Sequence, residues 1–141
     1  MRAWSFTTEV TVRFAETDAQ GIAHHAVFLV WFELARVEYL QAHAGGYQRL
    51  RDEGIESTVV EVSARYIAPA RFDERLTIHA RCTDMKRVSF RFEYLIERAG
   101  EPIAEGWSLH SVVDGATLRP VRMPAWLREA IDTAESAAVE R

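Results

Sequence analysis

Asp18 is a side chain whose type and setting could do chemistry. It lies in Thr17-Asp18-Ala19-Gln20-Gly21, a run of turn formers just ahead of a long apolar segment that opens near His25. A carboxylate there can attack a carbonyl carbon directly or draw a proton from water. Free N–H groups at the start of a helix can hold the oxyanion that either attack creates. The same residues also make an ordinary turn, because Asp is a common helix cap and His24 and His25 suit a capped or solvent-facing helix start. The other candidates are weaker. Cys82, the sole cysteine, falls on the apolar side of a strand pattern, where a small core residue belongs, and it cannot form an internal disulfide. Gly106-Trp107-Ser108-Leu109-His110 lacks the second glycine of a G-x-S-x-G nucleophile elbow. The sequence has no H-E-x-x-H or paired-Cys spacing for zinc and no G-x-G-x-x-G or P-loop for a nucleotide, so metal-free, cofactor-free chemistry is expected.

The elements that must position Asp18 follow from periodicity. Val10, Val12 and Phe14 alternate and predict a first strand over 9–14. From His25 to about His43, Phe28, Leu29, Phe32, Ala35, Arg36, Tyr39 and Leu40 recur at three- and four-residue steps. With Val30 and Trp31 added, this helix is apolar over most of its circumference, as a helix wrapped by something large would be. Gly45 and Gly46 end it, and Tyr47–Glu53 reads as a short second helical turn. The period then changes to two. Strands are predicted over 58–66, 76–82, 88–96 and 103–113, with turns at 84–86 and 99–101 that make antiparallel neighbours of the last three. Ala125–Ala134 reads as a terminal helix, which gives one domain over 1–134 and a frayed tail over 135–141. One long helix and a broad antiparallel sheet predict an α+β layer architecture.

The bulk composition fits that outline. The chain has 141 residues, 48% of them hydrophobic and 27% charged, enough for one core. A net charge of −4 provides no basic field for nucleic acid. No run approaches the ~20 apolar residues of a membrane span, and no leader-like segment opens the chain, so a cytoplasmic protein is expected. Lys86 is the only lysine and Asn is absent, a bias that fits a GC-rich genome or a hot habitat.

The segment Arg13-Phe14-Ala15-Glu16-Thr17-Asp18-Ala19-Gln20-Gly21-Ile22-Ala23-His24-His25, followed by Trp31-Phe32-Glu33 and Ala35-Arg36, resembles the 4-hydroxybenzoyl-CoA thioesterase family of hotdog proteins. Tyr66-Ile67-Ala68-Pro69-Ala70, Phe72-Asp73 and Val88-Ser89-Phe90 extend the resemblance, which covers roughly Val10 to Pro124. It implies a hotdog fold, in which a curved antiparallel sheet of about five strands wraps a long central helix. It implies an acyl-CoA thioesterase with Asp18 as nucleophile or general base. It also implies that the N–H of His25 polarises the thioester carbonyl, with Gly21 permitting close approach of loop and ligand. The family usually carries Asn-Tyr where this chain has Val27-Phe28, so Phe28 is expected to reshape the acyl pocket.

Coenzyme A carries phosphates, which call for cations. The positions matching the family's nucleotide contacts are Lys86, Arg87 and Arg119. Glu33 and Arg36, three apart on the helix, are expected to pair structurally. A lone hotdog unit leaves a sheet edge open. The expected assembly is therefore a homodimer, and by resemblance a homotetramer built as a dimer of dimers. The active site would lie at the dimer interface, with Asp18 from one subunit and part of the CoA contacts from the other. Two other readings compete: a hydratase or dehydratase of acyl thioesters on the same fold, with His24 available, and a non-catalytic acyl-CoA-binding protein.

Overall fold

A computed structural model describes residues 3–140. In chain order the elements are β1 (Phe6–Thr11), a 3-10 turn (Phe14–Glu16), α1 (Val27–Ala44), α2 (Tyr47–Asp52), β2 (Ile55–Tyr66), β3 (Arg75–Thr83), β4 (Ser89–Arg98), β5 (Glu101–Asp114) and α3 (Ala125–Glu140). The strands form one five-stranded sheet in the order β1-β3-β4-β5-β2, with every neighbouring pair antiparallel. Strict alternation on β4, the central strand, and on its neighbour β3 shows that one face of each lies on the core. Leu76, Ile78, Ala80 and Cys82 on one strand and Phe90, Phe92, Tyr94 and Ile96 on the next are all buried, while the residues between them keep partial solvent contact.

Helix α1 crosses the inner face of this sheet and buries Phe28, Trp31, Phe32, Ala35, Arg36, Tyr39 and Leu40 against it, the arrangement that the hotdog resemblance implies. Its close approach depends on Gly106 of β5. A Cβ there would collide with the Ser63 carbonyl oxygen and with the Phe32 ring, which stacks on Tyr94 at 4.5 Å. The small inner residues of β5 thus make room for the helix. Below it runs a buried polar chain. Arg36 donates to the Tyr47 and Tyr94 hydroxyls at 3.1 and 3.3 Å, and Tyr94, Ser108 and His110 are linked in turn at 2.6 and 2.7 Å. Burial, helped by the Arg36 charge, pushes His110 down to about 3, which keeps the ring neutral. Glu33 reaches the Arg36 guanidinium only at 4.0 Å, so the tyrosines are its main partners.

Three sequence expectations are corrected. The first strand is Phe6–Thr11, displaced toward the N-terminus; Phe14 is 75% exposed, because Arg13–Glu16 closes a turn in which the Arg13 N–H donates to the Glu16 carboxylate at 2.8 Å. The frayed tail is instead helix as far as Glu140, with Arg141 outside the described residues. Leu127, Ile131, Ala134 and Ala138 extend one buried stripe. The Glu135 carboxylate accepts from Ser5 Oγ at 2.6 Å, Tyr39 Oη at 2.5 Å and the Cys82 N–H at 3.1 Å. Finally, α1 is not wrapped on every side, because Val30, Leu34 and Val37 leave an exposed apolar stripe in the single chain.

Strand β2 forms one edge of the sheet. Its outer side meets no strand among the described residues, and Val59, Val60, Val62 and Tyr66 are exposed along it. No helix among the described residues is long and apolar enough to cross a membrane.

Candidate active site

The loop between β1 and α1 is tied down along its length. Thr17 bridges Ala23, and Ile22 bridges Arg71. The Ala23 N–H donates to the Ala70 carbonyl at 2.7 Å, and the His24 N–H to the Glu16 carbonyl at 2.8 Å. Within this frame Asp18 heads a turn that Gly21 closes, its N–H donating to the Asp18 carbonyl at 2.9 Å. Gly21 sits at φ +77°, a left-handed conformation that glycine adopts at little cost. The Asp18 Oδ1 accepts from the Gln20 N–H at 2.8 Å, which fixes the plane of the carboxylate. Its Oδ2 has no partner among the described residues.

The approach to α1 leaves the His25 amide over. The Val27 N–H donates to the His24 carbonyl at 2.9 Å, and the Ala26 N–H donates to His24 Nδ1 at 3.1 Å. With the His24 N–H also taken, the His25 N–H is left without a partner among the described residues. The helix proper starts at Val27, two residues later than its sequence pattern suggests, and the His24 ring accepts from the Ala26 N–H just ahead of it. That role leaves His24 less free for imidazole chemistry.

Asp18 and His25 line the same cleft of about 400 Å³, together with Phe28 and Tyr66; Ile22, Ile67 and Pro69 supply apolar wall. Phe28 is 3% exposed and meets Trp31 and Tyr66 edge-on at 4.9 and 5.1 Å. The cleft therefore joins one unpartnered carboxylate oxygen, one residue with an unpartnered amide and an aromatic floor. That set can attack and polarise a carbonyl attached to an apolar group. Tyr66, whose hydroxyl donates to the His25 carbonyl at 2.7 Å, is a site residue that the sequence pattern presents only as the end of a strand.

The predicted phosphate-binding residues lie elsewhere in the chain. Lys86 and Arg87 line a separate basic cleft with Met85, Arg122 and Arg128, and the Arg128 guanidinium donates to the Lys86 carbonyl. Arg119 is exposed in the turn after β5. The Asp18 loop adjoins the Arg75 end of β3, where Val12 donates to Glu74, whereas Lys86 follows the Thr83 end. At about 3.3 Å per residue the nine residues of β3 separate the two by roughly 30 Å. Among the described residues no cluster of three or more His, Cys, Asp or Glu could hold a metal ion.

The chain is similar to known proteins along most of its length. Residues 20–104 match the model of the thioesterase superfamily. The Escherichia coli acyl-CoA thioester hydrolase YbgC is 32% identical over 125 residues, which are 88% of this chain and 93% of that protein. A hypothetical protein from Thermus thermophilus superposes with a TM-score of 0.86 at 34% identity over 92% of this chain and 98% of its own. A Thermus thermophilus thioesterase complexed with coenzyme A and Zn superposes with a TM-score of 0.83 at 29% identity over 96% and 98%.

Proposed function

This chain belongs to the thioesterase superfamily, and on that premise we propose that it hydrolyses an acyl-CoA thioester to a free acid and coenzyme A. The carrying observation is that Asp18 and His25 line one cleft and each leaves a polar group unpartnered, a carboxylate oxygen and a backbone N–H. Asp18 acts as nucleophile, giving an acyl anhydride that water then opens, or as general base toward the attacking water. The His25 N–H takes the carbonyl oxygen as it becomes an oxyanion, a contact whose loss typically costs ~3–4 kcal/mol of barrier. Phe28, Ile22 and Ile67 hold the acyl group, and the thiol of coenzyme A leaves with the proton that completes the hydrolysis.

The position of the cations supports an active site shared between subunits. Pairing β2 with its copy about a two-fold axis sets the Tyr66 end of one strand against the Ile55 end of the other. Ile55 pairs with Asp114, whose N–H donates to the Arg119 carbonyl, and Val112 reaches Val88 on the same side. The partner subunit's Lys86, Arg87 and Arg119 thereby come to the Asp18 end of the joined sheet, where they hold the phosphates. The same pairing satisfies the open edge of β2 and covers its exposed valines. A homodimer is the smallest assembly that completes the site, and a homotetramer would repeat it.

Release of free thiol from a panel of aromatic, short-chain and medium-chain acyl-CoAs tests this function. Turnover of at least one class is expected, with a loss of about a hundredfold or more in a folded Asp18→Asn variant. Hydration of an enoyl-CoA without thiol release, or tight acyl-CoA binding without turnover, would contradict it.

A further inference from the structure

The first turn of α1 has an unusual support. Its cap position is Ala26, which offers no side-chain hydrogen bond, and the turn carries no acidic residue. Uncapped first turns fray. Here the missing restraint comes from across the sheet. Tyr66, the last residue of β2, donates its hydroxyl to the carbonyl of His25 at 2.7 Å, while its ring rests edge-on against Phe28 at 5.1 Å. Desolvation pushes the phenol upward, so the group stays protonated and donating at neutral pH.

We infer that the Tyr66 hydroxyl is a positioning group for catalysis: by holding the His25 carbonyl it fixes the turn that presents the His25 N–H to the cleft. This rests on the reading of that N–H as the oxyanion donor. His25 is restrained on both flanks. The preceding residue is held by the bond from the His24 N–H to Glu16, and its own carbonyl is held by Tyr66. Rotation of either flank would swing the free N–H away from a carbonyl oxygen held beside Asp18. Tyr66 sits on the edge strand, so the same bond also ties the donor to the part of the sheet nearest the proposed two-fold partner.

Tyr66→Phe removes one oxygen and keeps the ring against Phe28. In this variant kcat is expected to fall about five- to tenfold, the equivalent of one ordinary hydrogen bond, with KM within about twofold of the parent. In the substrate-free protein the Ala26 and Val27 amides should exchange with solvent faster by a similar factor. A fall in kcat without faster exchange would mean that the hydroxyl acts on the substrate, and would overturn the positioning role. A higher KM at unchanged kcat would make it a binding contact and overturn it equally. If neither kcat nor exchange moves while Asp18→Asn abolishes turnover, the clamp is refuted and the thioesterase reading stands. Faster exchange at unchanged kcat would refute the His25 N–H as oxyanion donor, and the inference with it.

Discussion

Replacing His110 by glutamine is expected to change how stability depends on pH, by an amount that follows from its burial. The ring is 1% exposed, bonded to Ser108 at 2.7 Å and stacked on Phe90 at 5.2 Å, and the folded chain holds its pKa at about 3 against an ordinary 6.5. The folded value lies below the unfolded one. Above pH 6.5 the ring is neutral in both states and its full contribution is present. As pH falls below 6.5 the unfolded chain takes up a proton that the folded chain refuses, and stability drops by up to ~1.4 kcal/mol per pH unit until the folded value is reached. Between pH 6.5 and 4.5 the loss from this one group is about 2–3 kcal/mol. The glutamine of the His110→Gln variant would keep a partner for Ser108 and would not titrate. Urea unfolding of both proteins at fixed protein concentration, from pH 7.5 to 4.5, isolates the difference, since every other titrating group is common to both. The parent should lose about 2–3 kcal/mol relative to the variant over that range. Parallel stability curves would refute a neutral, buried His110.

Other perturbations act on the packing, the cations and the edge. Gly106→Ala puts a methyl into Phe32 and the Ser63 carbonyl, so a loss of about 1–3 kcal/mol is expected, or roughly 3–9 °C in Tm by calorimetry. An unchanged Tm would show that α1 has slack there. Lys86→Ala combined with Arg87→Ala should raise KM for acyl-CoA about tenfold with kcat within about twofold, because phosphate contacts bind ground and transition states alike. The effect should vanish for an acyl-pantetheine, and an equal rise for both substrates would place those cations away from the nucleotide. Val62→Lys on the β2 edge should shift sedimentation to the monomer and abolish turnover together; an active monomer would remove the shared site.

The sheet and the long helix are legible in the sequence because their signals are local and repeated. Four alternating apolar residues on β3 and four on β4 leave one way to face a core, and Phe28 through Leu40 keep a helical step throughout. The Asp18–Gly21 loop is legible as chemistry only through the family pattern, since Asp and Gly make turns everywhere. The true end of α3 is not legible. Glu135 reads as a tail residue until its partners are known, and Ser5, Tyr39 and Cys82 lie 130, 96 and 53 positions away. The Tyr66 bond to His25 is hidden for the same reason, spanning 41 positions between a strand end and a helix start. The late start of α1 is hidden too, because a histidine ring that accepts from the Ala26 N–H has no sequence signature of its own. The first strand falls earlier than its pattern predicts because Val10, Val12 and Phe14 continue the alternation across a point where Glu16 turns the chain.

The most direct test of the central claim is the structure of the Asp18→Asn variant holding an intact acyl-CoA. The thioester carbonyl carbon should lie about 3–3.5 Å from the position-18 side chain, with its oxygen about 2.7–3.1 Å from the His25 nitrogen. A thioester bound beyond reach of both groups, or a substituted side chain at that position turned out of the cleft in the assembled oligomer, would contradict it.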